Sequence, residues 1–256
     1  MKKIISWNVA SIRARMDGLH ALLSKENPDI VFLQEIKATE EQFPFFELKT
    51  WGYNAYISGQ KSWNGVAVLS KQNLQLKSTA LPNFEDQARF VEAVDEQGTS
   101  YISVYVPNGQ APMNNPQDTS KLEYKLKWMD ALYNYLAHLP AFVIGGDFNV
   151  IQKDKDVYNP ASFQESALMV PPVRAAFERL LTLDMLNPVR DLFPDGGLYT
   201  FWDFQGGAWQ KNNGIGLDYI FFSKPTFSQE NLSANVLKEY RGIDKASDHA
   251  PVVVSF

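Results

Sequence analysis

Four apolar stretches of this chain meet an amide, a carboxylate or a histidine at their ends, and that repeated junction limits what the chain can fold into. Ala141-Phe142-Val143-Ile144-Gly145 runs into Gly146-Asp147-Phe148-Asn149, and strand ends of the same kind fall at Asn8, at Glu35 and at Asp248-His249. A short continuous apolar run bounded in this way reads as a strand covered on both faces. Glycine beside it lets another group come close. A fold that brings such strand ends to one rim presents chemistry there. Asp147 and Asn149 stand two apart, so an extended backbone is expected to point both to the same side.

Read in order, 3–9 is a strand, and Leu19, Leu22 and Leu23 have helical spacing up to a stop at Asn27-Pro28-Asp29. Ile30-Val31-Phe32-Leu33 is the next strand and ends in Gln34-Glu35, an α/β opening. Residues 65–70, 89–94 and 101–106 are expected as an antiparallel meander, with Asp95-Glu96-Gln97-Gly98 as a hairpin turn. Val106-Pro107-Asn108-Gly109 then leaves the sheet for a polar loop. Leu122, Leu126, Met129, Leu132 and Leu136 predict an amphipathic helix. Residues 152–172 are polar and long enough for a functional loop, with the charged run 153–156 expected to be solvated. Val173, Phe177, Leu180 and Leu181 mark a further helix, followed by an aromatic-rich stretch at 198–204, a glycine-rich loop at 205–216 and strands at 217–222 and 252–254. With no linker and no fixed-period repeat, the expectation is one domain over residues 1–256.

Composition narrows the chemistry. The 256 residues include no cysteine, which excludes disulfides, thiolate metal sites and cysteine nucleophiles and is compatible with a reducing cytoplasm. No apolar run has the length of a membrane span, and the N-terminal segment reads as a strand rather than a signal peptide. A net charge of -5 argues against a surface coated in basic residues, though not against a local phosphate-binding patch helped by divalent cations. Asn8, Glu35, Asp147, Asn149, Asp218, Asp248 and His249 form an oxygen-rich set with one histidine, which suits Mg²⁺ or Mn²⁺ better than Zn²⁺, with Glu35 as the anchor. Such groups match what phosphodiester hydrolysis requires: a base for water, a cation and donors on the phosphate, and stabilisation of the leaving oxygen. Singly, each is an ordinary turn or cap residue. Their number at the ends of separate strands is what points to a site.

Ile5-Ser6-Trp7-Asn8-Val9, Leu33-Gln34-Glu35-Ile36-Lys37, Tyr105-Val106-Pro107-Asn108-Gly109, Gly145-Gly146-Asp147-Phe148-Asn149, Tyr199-Thr200-Phe201-Trp202, Leu217-Asp218-Tyr219 and Ser247-Asp248-His249-Ala250-Pro251 occur in family order. Over essentially its whole length the chain resembles the exonuclease III-type abasic-site DNA repair endonucleases of the endonuclease/exonuclease/phosphatase superfamily. The resemblance implies a four-layer α/β sandwich, two mixed and mainly antiparallel sheets packed face to face with helices outside. It implies a metal set of Asn8, Glu35, Asp147, Asn149, Asp248 and His249, with Glu35 as principal ligand for Mg²⁺, Mn²⁺ substituting. It casts Asp147 as activating water, Asn149 as holding water and transition state, His249 with Asp218 as facing the phosphate, and Tyr105 as contacting the scissile phosphate or leaving group. Phe201, Trp202 and Leu217 are implied to form an apolar pocket for a flipped, baseless sugar. Asn108, Arg13, Lys61 and Lys121 are the expected DNA contacts, with Lys37 and Arg89 as further basic candidates.

The implied activity is cleavage 5′ to abasic sites in duplex DNA, with 3′–5′ exonuclease action or trimming of damaged 3′ ends, by a cytoplasmic monomer with no membrane partner. The competing readings are a relative acting on phosphoinositides or small phosphate esters, and a non-catalytic DNA binder. Two departures stand out: Ala10-Ser11 where the family has Asn-Gly or Asp-Gly, and Gly216 where it often has a basic residue.

Overall fold

Alternation along the first strands divides the core in two. In β1 (Lys3–Asn8), Ile4 packs on one side and Ile5 and Trp7 on the other. Strand β2 (Ile30–Gln34) repeats the division, with Ile30 and Phe32 opposite Val31 and Leu33. Both faces are therefore buried, which is why these runs are apolar without interruption. The computed structural model describes residues 1–111, 113–226 and 232–256, so Pro112, within the predicted polar loop, lies outside the described residues.

The chain next adds β3 (Asn54–Ser58) and β4 (Val66–Ser70) to the first sheet. A second sheet follows: β5 (Gln75–Ser78), β6 (Phe90–Val94), β7 (Ser100–Tyr105), β8 (Phe142–Asp147), β9 (Met185–Leu186) and β10 (Asp218–Ser223). The chain then returns to the first sheet as β11 (Ser233–Val236) and β12 (Val252–Ser255). The sheet orders are β11-β12-β1-β2-β4-β3 and β5-β6-β7-β8-β10-β9, with β1–β2 and β7–β8 parallel and the other pairs antiparallel. The first sheet is covered by α1 (Met16–Glu26) and α2 (Phe45–Thr50) through Leu19, Leu22, Leu23 and Leu48. The second is covered by α3 (Ser120–Leu136) and α4 (Pro171–Leu181) through Trp128, Met129, Leu132, Phe177 and Leu180, while α5 (Pro188–Leu192) lies against β10 and β11. This is the expected four-layer sandwich.

The predicted meander is corrected. The antiparallel β6–β7 pairing stands, but β4 pairs in the first sheet, and the other partner of β6 is β5, an exposed edge strand whose polar sequence hides it. The hairpin turn between β6 and β7 is present, closed by the Asp95 amide on the Thr99 carbonyl at 3.1 Å with Gly98 at φ 84°.

Register builds the rim. Asn8 is level with Gln34, Tyr105 with Asp147, and Asp147 with Asp218. In each strand these terminal residues share the face of the inter-sheet core residues Ile4, Phe32, Tyr101, Val143 and Ile220, so their side chains enter the gap between the sheets where it opens. Gly145 sits one pleat below Asp147, and a Cβ there would fall into the Phe32 ring of the opposite sheet. Among the described residues no helix is long and apolar enough to cross a membrane.

Gly145→Ala is expected to destabilise the fold by about 1–3 kcal/mol, as overpacked cores do, read from the denaturant midpoint. Tyr53 is buried and donates to the Pro28 carbonyl at 2.7 Å; burial, aided by Asp29, raises its hydroxyl from 10.0 to about 12. The unfolded chain therefore loses this proton first, and stability falls as pH rises from 10 towards 12. Tyr53→Phe should flatten that part of a stability–pH curve, a difference measurable by thermal melts at alkaline pH.

Candidate active site

Asn8 ties the cleft together. Its Nδ2 donates to Glu35 Oε1 at 3.0 Å and to Asp147 Oδ2 at 3.1 Å, a bridge from one sheet to the other. The Ala10 amide holds Asn8 Oδ1 at 3.1 Å, which fixes the side chain with its donors facing inward. The Asn-Gly departure is structural as well as polar: Ala10 and Ser11 have φ 45° and 96°, values that glycine adopts without strain and these residues do not.

Glu35, also at positive φ, binds the Lys37 ammonium at 2.8 Å through Oε2. Burial works to raise its pKa, but hydrogen bonds from Asn8 and Lys37 and the charges of Lys37 and His249 outweigh it and leave the carboxyl below its ordinary value. Glu35 is thus an ionised hard-oxygen group that already attracts a cation, the donor chemistry that suits Mg²⁺. The Tyr105 hydroxyl hydrogen bonds to Glu35 and lies well above its usual pKa, through burial and then the charges of Glu35 and Asp147, so it stays protonated and can donate. Arg89 stacks 4.7 Å from the Tyr105 ring centroid and donates to its carbonyl at 3.2 Å.

Across the gap, His249 Nδ1 lies 2.8 Å from Asp218 Oδ2, and Nε2 lies 3.7 Å from Asp147 Oδ2. Because Asp218 as a carboxylate only accepts, Nδ1 carries the proton. Burial alone would discharge the ring, but Asp218, through charge and hydrogen bond, and then Asp147 and Asp248 raise its pKa and make it an imidazolium. Burial raises the Asp147 carboxyl, against the pull of His249 and with help from Asp218 and Glu35. Ligand atoms of Asp147, Asp218 and His249 lie within 4.8 Å of one another. As placed, the Asn8 amide presents its N–H group to the two carboxylates, so the bare oxygen atoms facing this part of the cleft belong to Glu35 and Asp147.

Asp147 and Asn149 are adjacent for a reason other than the pleat. Strand β8 stops at Asp147, and Asn149 is left-handed at φ 50°. Its amide turns back to Asp147 Oδ1 at 2.9 Å, its Nδ2 donates to the Val106 carbonyl at 2.9 Å, and its Oδ1 accepts from Asn108 at 3.2 Å. Asp248 is half-buried and shares a hydrogen bond with Ser247, whose hydroxyl also donates to the Asn8 carbonyl at 2.7 Å. Arg13, in the short helical turn Ile12–Ala14, and Lys61, on a loop, are exposed. Lys121, at the start of α3, lines a groove of about 650 Å³ with Arg89, Asn108, Gln110 and Tyr124.

The aromatic stretch divides between the cleft and the core. Phe201 lies 4.9 Å from the His249 ring and packs with Leu217. Trp202, the next residue along, points the other way: it is fully buried between the sheets, edge-on to Trp209 at 4.9 Å. The neighbour of Phe201 on its own side is Ile215, which pairs backbone-to-backbone with it and joins the same cluster. The run 153–156 is not all solvated either. Asp156 is buried, bonded to Arg190 at 2.5 Å, and its carbonyl accepts the Gly216 amide at 2.7 Å. A Cβ on Gly216 would press on the Leu198 carbonyl at 3.1 Å, so the departure from a basic residue is matched by close packing.

Sequence reasoning also passed over Thr200, whose hydroxyl accepts the amides of Leu217 and Asp218 at 3.0 and 3.2 Å, and Gln34, which donates to Ser103 of the opposite sheet at 3.0 Å. It missed Trp63 as well, 71% exposed beside Lys61 on the turn from β3 to β4. Backbone bonds from Ile36 and Lys37 to Gly65 and Asn64, each 3.1 Å, strap this turn to the Glu35 segment.

Two stacked sheets whose common rim gathers carboxylates, amides, a protonated tyrosine and a charged histidine are the frame of a phosphoester hydrolase. The chain belongs to the Endonuclease/Exonuclease/phosphatase family, whose profile matches residues 5–249, in agreement with the resemblance its motifs carry. It is 30% identical to the exodeoxyribonuclease of Bacillus subtilis over 98% of this chain and 97% of that one. Its fold is similar to an AP endonuclease from Archaeoglobus fulgidus, at TM-score 0.92 and 30% identity over 100% and 99% of the two chains. It is similar too to a 3′ phosphatase from Neisseria bound to a product DNA hairpin, at TM-score 0.90 and 33% identity over 100% and 99%.

Replacing Asp218 by Asn removes the charge that keeps His249 protonated. Asp218→Asn should bring the His249 pKa down towards the ordinary 6.5, as followed by imidazole NMR in a chain with three histidines.

Proposed function

We propose that this chain, acting as one 1–256 catalytic unit and a cytoplasmic monomer, is a Mg²⁺-dependent DNA repair phosphodiesterase. It hydrolyses the backbone 5′ to abasic sites and removes nucleotides or blocking groups from 3′ ends, with Mn²⁺ able to replace Mg²⁺. The observation that carries this reading is the double hydrogen bond of Asn8, which sets the Glu35 carboxylate and Asp147 side by side over one cleft. The names of the similar proteins, an exodeoxyribonuclease, an AP endonuclease and a 3′ phosphatase, support DNA as the substrate.

Glu35, its carboxylate oriented by the Asn8 amide, would hold the metal, which when bound would supply positive charge at the phosphate. Asp147 takes the proton of the attacking water; its carboxyl, raised by burial, is suited to accept a proton at neutral pH. The Asn149 amide group faces the charge that builds during attack. The His249 imidazolium, held through Nδ1 by Asp218, offers its Nε2 proton to a phosphate oxygen. Tyr105 donates to the leaving oxygen. Phe201, Ile215 and Leu217 form the apolar wall that would receive a baseless sugar beside His249. Lys61, Trp63 and Lys121 supply the outer contacts to the duplex.

A duplex with one abasic site should be cut 5′ to that site with Mg²⁺ present and left intact with EDTA. Cleavage in EDTA would remove the metal from the mechanism, and absence of any cut would remove the substrate. Asp147→Asn is expected to lower kcat by roughly 10²–10⁴ with little change in the melting temperature.

A further inference from the structure

We propose that Lys125 is a positioning residue of this active site, its buried ammonium locking together the loops that carry Asn108 and Asn149. The inference rests on the phosphodiesterase reading for its kinetic consequence, but the clamp itself is visible in the geometry. Lys125 lies on the apolar stripe of α3 with Met129, Leu132 and Leu136, and it is fully buried (0% exposed). Its Nζ donates to the Asn149 carbonyl at 2.6 Å, to the Ala167 carbonyl at 2.8 Å and to the Asn108 carbonyl at 3.1 Å. An ammonium has three N–H groups and no acceptor, so three carbonyls from three segments satisfy it completely. A neutral amine would turn a lone pair towards one of those carbonyls. Burial pulls the pKa of this ammonium down from its usual 10.5 to about 7, a pull that the charge of Asp147 opposes; the three carbonyl acceptors favour the charged form in return.

What these segments carry gives the clamp its consequence. The Asn108 side chain donates to Asn149, and Asn149 in turn anchors Asp147 Oδ1 through its amide. Lys125 therefore grips, from below and through main-chain oxygens alone, the two loops whose upper side chains face the cleft. The grip is close. Gly109 adopts φ 82°, and a Cβ there would lie 2.8 Å from Lys125 Cδ, so the aliphatic stem fills the space under this loop. Burying a charge in an apolar helix stripe is costly without such compensation. A methionine would pack the same volume and leave three buried carbonyls without their donor.

The absence of native cysteine makes the test clean. Lys125→Cys would be unfolded, alkylated either with 2-bromoethylamine, which restores an ammonium on a side chain of lysine length, or with iodoethane, which restores the stem as far as the Cε position without the ammonium, and refolded beside identically treated wild type. Cleavage of the abasic duplex is then measured with Mg²⁺. The S-ethyl form should lose on the order of 10²-fold in kcat, the scale of an ångström-level misplacement, with KM within about threefold, and the aminoethyl form should recover most of that loss. Equal kcat in the two alkylated forms, both high or both low, would overturn the proposal. Hydrogen exchange supplies a second arm that needs no activity. Amides of residues 106–109 and 148–151 should exchange faster in the S-ethyl form while those of β1 and β8 keep their protection. Uniform loss of protection would assign Lys125 to general stability alone. Should wild type leave the duplex uncut, the functional reading fails, and the exchange comparison still decides whether Lys125 holds the loops.

Discussion

A single amide group joins the two halves of this molecule where they matter. Asn8 belongs to one sheet and Asp147 to the other, and the hydrogen bond between them closes the open end of the inter-sheet gap. Asn8 can do this only because the backbone at Ala10 turns into a strained left-handed conformation and returns a donor to its side-chain oxygen. Strain of this sort, costing on the order of 1–3 kcal/mol, persists where the surroundings over-determine it. Here they do: Ser247 holds the Asn8 carbonyl, the Ser11 amide is bonded to the Glu35 carbonyl, and Lys37 holds the Glu35 carboxylate.

From that bridge the charges sort themselves into two sides. On one, an ionised Glu35 sits beside a lysine and a hydroxyl. On the other, Asp218 and His249 form a buried ion pair with Asp147 between the two sides. The cleft is therefore balanced, neither a bare acidic hole nor a basic groove, and this fits a chain of net charge -5 that is proposed to work on a polyanion. Attraction for phosphate would come from a few placed groups, His249, Tyr105 and a bound cation, and not from the surface as a whole.

Much of this was legible in residue order because covered strands leave an unmistakable apolar signature, and a polar residue closing such a run stands out. Glu35, Asp147, Asp218 and His249 were visible on that ground. Asn149 was found for the wrong reason: the pleat would have placed it beside Asp147, but a left-handed turn does so, and backbone handedness is not written in a one-residue pattern. Trp202 and Phe201 are neighbours in sequence and opposites in space, so an aromatic pair could not say which ring faces the cleft. Ile215 was hidden because an isoleucine in a glycine-rich loop carries no chemical flag. Asp156 looked like surface until Arg190, 34 residues on, supplied its counter-charge. Edge strands such as β5, with three exposed residues of four, lack the apolar signal altogether. Lys125 did carry a signal, a charge at a core position of a helical stripe, and only the fold shows what receives it.

The order in which the rim is strung along the chain has a consequence for how the cleft comes together. Asn8 and Glu35 come early in the chain, yet β1 is flanked by β12, the last strand among the described residues, and His249 lies just ahead of it. Until Val252–Ser255 is laid beside Lys3–Ser6, His249 is not fixed opposite Asp147 and the first sheet lacks an interior strand. The Glu35 and His249 sides of the cleft are thus joined only through a pairing between segments at opposite ends of the described fold.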